Sequence, residues 1–229
     1  MNPPLDALPL SPPESRGPER ISDVIAPHAV HDLRDHQVGE LRYSATAALI
    51  IAGVPGAGKS TALKILFSST ADAEQPPRGP SGSMVLDSNH VRNAWRRRLN
   101  KLPYPLWRPL VHVVHYTRIR RALRDNAGPV VIHECATFGW ARRMIAHWAA
   151  AHGRELHLIL LDVPASIARA GQYARGRRIN GFSFRLHCSR WQRMLHAIDS
   201  GHNPVPNPAS LVIADRSTVD HLQRISFAG

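Results

Sequence analysis

The stretch Gly53-Val54-Pro55-Gly56-Ala57-Gly58-Lys59-Ser60-Thr61 has the spacing G-x-x-x-x-G-K-[ST], with the apolar run Ala45 to Ala52 before it and helix-forming residues after it. These residue types suit one task, the holding of a polyphosphate. Gly53, Gly56 and Gly58 let the backbone bend closely around an anion, so that successive N–H groups and the positive end of the following helix face its oxygens. Gly53, Pro55, Gly56, Ala57, Gly58, Lys59, Ser60 and Thr61 are therefore the expected nucleotide cradle. Within it, Lys59 is expected to reach the β- and γ-phosphates of ATP, and Ser60 to place its hydroxyl on Mg²⁺.

In an open parallel sheet ligands gather at the carboxyl ends of the strands, which singles out Asp87, Glu134, Asp162 and Asp215, each following an apolar run. Asp87 opens the segment Asp87-Ser88-Asn89-His90-Val91-Arg92. A carboxylate at a strand end, with an arginine five residues on, suits a base that takes the proton of an acceptor hydroxyl and a cation that holds the acceptor or the moving phosphate. Asp87 or Ser88 equally suits the N-cap of the helix that carries Arg92. Glu134 ends Val130-Val131-Ile132-His133-Glu134 and is placed to reach Mg²⁺, directly or through water, or to orient the attacking group. A carboxylate stabilised by a helix dipole reads the same way.

Farther on, Arg175-Gly176-Arg177-Arg178 follows the helix that Pro164 begins. Three guanidiniums beside a glycine hinge suit a lid over residues 172–182, in which Arg175 meets the triphosphate and neutralises charge developing in phosphoryl transfer. A solvated basic turn fits the same residues. Arg92, Trp95, Arg96, Arg97, Arg98, Trp107 and Arg108 interleave cations with indoles, a pattern that could hold phosphates and stack a base, while Trp95 and Trp107 suit a core or an interface equally. His112 and His115 have no acidic or cysteine companions at ligand spacing, so no zinc site is expected.

Positioning these groups requires an α/β domain. Beyond the run before the phosphate loop, strand signals recur at Met84 to Asp87, Val130 to Glu134, Leu156 to Asp162 and Leu211 to Ala214, separated by helical patterns. That alternation predicts a mainly parallel, five-stranded sheet with right-handed crossovers and helices on both faces. A helix continues through Thr61 to Phe67. Trp140, Met144, Trp148 and Ala151 form an i, i+4 stripe ended by Gly153, and Phe184, His187, Cys188, Trp191, Leu195 and Ile198 form another before Gly201. His187 and Cys188 are accordingly expected in the core. Residues 1–20, rich in proline, are expected to be a disordered tail. Ile21 to Gly39 is expected to supply a short helix at the edge of a domain spanning 21–229, and 68–83 a mobile polar loop.

At 229 residues the chain suits one such domain with extensions. Its formal charge of +12 comes almost wholly from arginine, the lysines being Lys59, Lys64 and Lys101. This favours anions generally, including nucleotides, phosphorylated acceptors and nucleic acid. A GC-rich coding sequence produces the same bias, so charge alone does not single out nucleic acid. Cys135 and Cys188 lie far apart and outside any C-x-x-C pair, as expected for reduced thiols. No apolar stretch approaches the roughly 18 residues of a membrane span, and the N-terminus lacks the regions of a signal peptide. A soluble, cytoplasmic protein with no membrane partner is expected.

These residues together resemble the P-loop kinase group, AAA-type ATP-binding domains that include the phage-type polynucleotide 5′-hydroxyl kinases, the chloramphenicol phosphotransferases and the zeta toxins. The likeness runs from about Ala45 to Ile198. It is carried by Gly53-x-Pro55-Gly56-x-Gly58-Lys59-Ser60-Thr61, Asp87 to Arg92, the strand ending at Glu134 with Arg142-Arg143 downstream, Leu161-Asp162-Val163-Pro164, and Arg175. The resemblance implies transfer of the γ-phosphate of ATP, with Mg²⁺, to a hydroxyl of a small molecule, a nucleotide sugar or a nucleic-acid 5′-end, with Lys59, Asp87, Arg92 and Arg175 catalytic and Ser60 and Glu134 on the metal. Where the polynucleotide kinases carry their catalytic Asp this chain has Asn89, and their metal-side Asp is Glu134 here. An ATPase, or a nucleic-acid-binding protein that uses ATP without kinase activity, is the alternative; no N-K-x-D guanine motif is present.

Overall fold

A computed structural model describes residues 24–69, 72–174 and 180–228. Along the chain run β1 (Val24–Ile25), β2 (Val30–Asp32), β3 (Glu40–Ser44), β4 (Ala48–Gly53), α1 (Lys59–Phe67), β5 (Met84–Leu86), α2 (Ser88–Leu99), α3 (Tyr104–Asp125), β6 (Val130–His133), α4 (Gly139–Ala151), β7 (Leu156–Leu161), α5 (Ala165–Ala174), α6 (Gly181–Asp199), β8 (Ser210–Ala214), α7 (Arg216–His221) and β9 (Arg224–Ala228). The expected tail, 1–20, lies outside the described residues.

The main sheet has the order β2-β8-β7-β4-β6-β5, and every pairing in it is parallel. β4, β7 and β8 are buried at every residue. Such strands must be covered on both faces, and their runs of Leu, Ile and Val are continuous rather than alternating for that reason. β4 lies between β7 and β6, so the phosphate loop leaves the middle of the sheet. Its neighbours end beside it, and Asp87, Glu134 and Asp162 all follow the last residue of a strand at the same edge.

The sheet is thus an α/β P-loop architecture as expected, with six strands where five are legible in the sequence. A second, three-stranded parallel sheet, β1-β3-β9, accompanies it. Glu40 fastens that sheet: its buried carboxylate accepts from Arg42 at 3.2 Å, from Ser226 Oγ at 2.5 Å and from Arg224 on the adjacent strand.

Two local expectations change. The segment expected as a helix between Ile21 and Gly39 instead holds β1 and β2 among its described residues, because Val30 to Asp32 satisfies the open backbone edge of β8 in register with Leu211 to Ile213. A nonlocal partner overrides local propensity there. On α4 the buried residues are Ala141, Ile145, Ala146 and Ala149, while Trp140 is exposed and Trp148 half-buried. Small side chains let α4 lie close to the sheet, and the bulky indoles are displaced to its flanks. The polar segment 68–83 contains one 3₁₀ turn, Pro80–Gly82.

The stripe on α6 packs as expected at Phe184, Trp191, Leu195 and Ile198, whereas His187 and Cys188 are only half-buried. Trp191 is 1% exposed, and its indole N–H donates to Asp162 Oδ1 at 3.3 Å. Trp191→Ala is expected to cost about 3–5 kcal/mol through the cavity it leaves, measured as a lowered urea midpoint with an unchanged slope.

Candidate active site

The phosphate loop is shaped by two left-handed glycines, Gly56 (φ 93°) and Gly58 (φ 99°). A methyl group on Gly56 would stand 2.0 Å from the carbonyl oxygen of Ala168 on α5, and one on Gly171 would stand 2.7 Å from the oxygen of Gly56. Loop and helix therefore touch backbone to backbone. Gln172 adds a side-chain bond to Pro55 O at 2.9 Å. Gly58 occupies the N-cap of α1 without a side-chain cap, which leaves the first N–H groups of that helix turned toward the loop. Lys59 is buried and its ammonium donates to Gly53 O at 2.7 Å and Val54 O at 3.1 Å. Ser60 and Thr61 follow in the first turn of α1, and Arg216, at the start of α7, lies beside Gly58.

Asp87 is 6% exposed and caps α2: Oδ1 accepts from the backbone N–H of Asn89 at 2.8 Å and from its side-chain amide at 2.9 Å. Oδ2 lies 2.6 Å from His133 Nδ1, across the β5–β6 pairing. Burial alone would raise the Asp87 pKa, but the His133 charge and the hydrogen bonds from His133 and Asn89 outweigh it and hold the carboxyl well below its ordinary range. Cap and dyad are thus the same group. Asn89, folded back on Asp87, is held in that arrangement.

Glu134 stands one residue beyond β6. Its Oε2 accepts from Tyr116 OH at 3.2 Å, and its Oε1 from the Cys135 backbone N–H at 2.9 Å and from Cys135 Sγ at 3.2 Å. Burial, then the neighbouring Glu134 charge, push the Cys135 thiol and the Tyr116 phenol up. Thr137 Oγ1 meets His187 Nδ1 at 2.7 Å. The His187 pKa is lowered by burial first and then by Arg190, Lys59 and Arg108, so the phosphate-loop lysine, α3 and α6 all act on one place. Phe138 packs edge-on against His187 and under the Arg190 guanidinium, and Trp140 packs edge-on against Tyr116.

The remaining expected residues separate. Asp162 is bound by Arg34 at 3.1 Å and by Trp191, and Asp215 caps α7 through Thr218. Arg92 lies 4.6 Å above the Tyr104 ring, against α3, and Trp107 is buried beside it. Arg175, Arg177 and Arg178 lie outside the described residues. Arg142 is turned to backbone oxygens of Ala136 and Pro204. His133, Tyr116 and Thr137 were not singled out by spacing. The one available signal was His133 preceding Glu134 at the end of an otherwise apolar run.

A family model described as an AAA domain matches residues 49–200. No curated protein matches the chain in sequence. Among solved structures, a chain of the PezAT chromosomal toxin–antitoxin system of Streptococcus pneumoniae is 11% identical, with 76% of this chain and 69% of that chain covered and a TM-score of 0.53. A tunicamycin resistance protein of Deinococcus radiodurans is 18% identical, with 64% and 80% covered and a TM-score of 0.40. The fold is what the first of these shares. Among the described residues no helix is long and apolar enough to cross a membrane.

One buried group gives the site a pH signature. His115 is 2% exposed, its Nε2 has no hydrogen-bond partner among the described residues, and burial lowers its pKa from 6.5 to about 4 against the opposing charges of Glu134 and Asp87. Between those two values the unfolded chain binds more protons than the folded one, so stability rises with pH across the window. His115→Leu should flatten that rise, which amounts to at most about 3 kcal/mol, in thermal unfolding followed from pH 4 to pH 7.

Proposed function

The chain belongs to this AAA-domain family, and on that footing we propose that it is a P-loop phosphotransferase that moves the γ-phosphate of ATP to an alcohol hydroxyl. What carries the reading is the shape and place of the phosphate loop: Gly56 and Gly58 are left-handed, Lys59 opens α1, and Glu134 follows β6, the strand paired with the one that leads into the loop. A phosphate-binding lysine and a strand-end carboxylate brought together are the two ends of a metal–triphosphate site. The acceptor is a small molecule, a nucleotide sugar or a nucleic-acid 5′-end.

In this proposal Gly53, Pro55, Gly56, Ala57, Gly58, Lys59, Ser60 and Thr61 cradle the phosphates through backbone N–H groups and the Lys59 ammonium. The Ser60 hydroxyl and the Glu134 carboxylate are hard oxygen donors of the type Mg²⁺ prefers, so they would hold the ion. When bound, Mg²⁺ neutralises charge on the β- and γ-phosphate oxygens. Asp87 has both oxygens engaged, so it works as a positioning residue. Its carboxylate pairs with Nδ1 of His133, so that when the ring is neutral with its proton on that nitrogen, Nε2 is the atom left to take the acceptor proton. Arg92, stacked on Tyr104, has no direct part in this proposal, and Arg175 supplies positive charge to the transferring group.

The test is incubation with radiolabelled ATP, Mg²⁺ and a panel of nucleosides, sugars, antibiotics and 5′-hydroxyl oligonucleotides. Lys59→Ala is expected to abolish transfer, and unchanged turnover would remove the loop from the chemistry. Asp87→Asn should keep the cap and ATP affinity yet lower transfer by about 10²- to 10⁴-fold, with His133→Gln doing the same. An equal loss of ATP affinity would mean that the pair serves the fold instead. Arg175→Ala should lower kcat by as much as about 10³-fold with little change in KM for ATP.

A further inference from the structure

On the outer flank of β5 an open cleft of about 400 Å³ lies between the segment beginning at Gln75, the sheet edge and the C-terminal half of α3. Its floor is apolar, made by Met84, Leu86 and Ala122, and Arg78, Arg118 and Arg121 line it. Among the described residues none of the three forms an ion pair. Asp125, the acidic residue of the lining, is engaged by Arg124 at 2.6 Å. Arg118 is the half-buried one of the three, Arg78 and Arg121 being exposed, and burial lowers its pKa.

Guanidinium groups that line a cleft without a carboxylate partner are available to an added anion. Its oxygens accept charge-assisted hydrogen bonds from the N–H groups that face the cleft, and its charge balances the three cations. A polypeptide strand does not fit the same place, because the edge beside β5 is taken: Val85 N–H donates to Pro77 O at 3.2 Å and Gly79 N–H to Ser83 O at 2.8 Å. The volume is that of a small-molecule site, and the apolar floor suits a compact, planar body more than a bare inorganic ion.

We propose that this cleft is a second anion site, taking a small phosphomonoester with a planar body, of which a nucleoside monophosphate is the representative. β5 is the edge strand and β6 separates it from β4, so the site is distinct from the phosphate loop, and the proposal does not depend on the phosphotransferase reading. The same phosphate chemistry is offered by the 5′-phosphate of a nucleic acid, which the experiment separates.

The full chain and its Lys59→Ala variant are titrated calorimetrically with AMP, inorganic phosphate and a 5′-phosphorylated single-stranded oligonucleotide. AMP is expected to bind saturably to both proteins. Arg118→Gln should weaken it about ten- to a hundredfold, and Arg118→Lys should recover part of the loss, as charge-assisted bonds imply. Should Arg118→Gln fail to fold, Arg121→Gln, at an exposed position, carries the same expectation. Loss of all AMP binding in Lys59→Ala, or unchanged affinity in both arginine variants, overturns the proposal. Binding of the oligonucleotide alone, with steep salt dependence, overturns it in favour of a nucleic-acid surface.

Discussion

The site depends on a contact that has no side chain in it. The backbone of Gly56 lies so close to α5 that a single added carbon would overlap the Ala168 carbonyl, and Gly171 returns the contact from the helix side. This fixes the curvature of the phosphate loop from outside, where left-handed φ values alone would leave it free to bend. It also means that the position of α5 is set by the loop. Any displacement of one is passed to the other, because close-packed backbone has no soft side chain to absorb it.

Around that contact the sheet brings together charges that the chain keeps apart. β5 and β6 each deliver a carboxylate, Asp87 and Glu134, and the two differ in what surrounds them. Asp87 is buried and fully bonded, so its charge is committed to His133 and Asn89. Glu134 bonds Tyr116 and Cys135 while its charge reaches His112, His115 and His187 on two helices. Burial lowers the pKa of each of these three imidazoles, which makes them neutral donors or acceptors near neutral pH and leaves the positive field of the site to Lys59 and the arginines.

The arginines themselves divide into spent and unspent. Arg154 bonds carbonyl oxygens of Leu123, Thr46, Gly128 and Asn126, so one guanidinium ties the loops at the amino ends of β4 and β6. Arg34, Arg142 and Arg224 are likewise committed, to Asp162, to backbone oxygens and to Glu40. A net charge of +12 therefore overstates what is available to a ligand. Among the described residues, Arg78, Arg118 and Arg121 on the flank of β5 form no ion pair.

The phosphate loop was legible in the sequence because its chemistry is local: a few glycines, a lysine and a serine at fixed offsets determine the backbone path whatever surrounds them. The strand-end positions of Asp87, Glu134 and Asp162 were legible for a related reason, since a continuous apolar run must be buried on both faces and the first acidic residue after it must leave the sheet. Tertiary structure decided the rest. β2 and β9 mix polar and apolar residues and so do not announce themselves, and they exist because β8 and β3 offer open edges. The buried face of α4 runs through its alanines because only small side chains allow close approach to the sheet, which a stripe of indoles in the sequence does not reveal. The pairing of Asp87 with His133 spans 46 positions and follows from β5 lying next to β6, a choice of strand order that no local pattern encodes. Sequence alone determined which groups could do chemistry; strand order determined which of them meet.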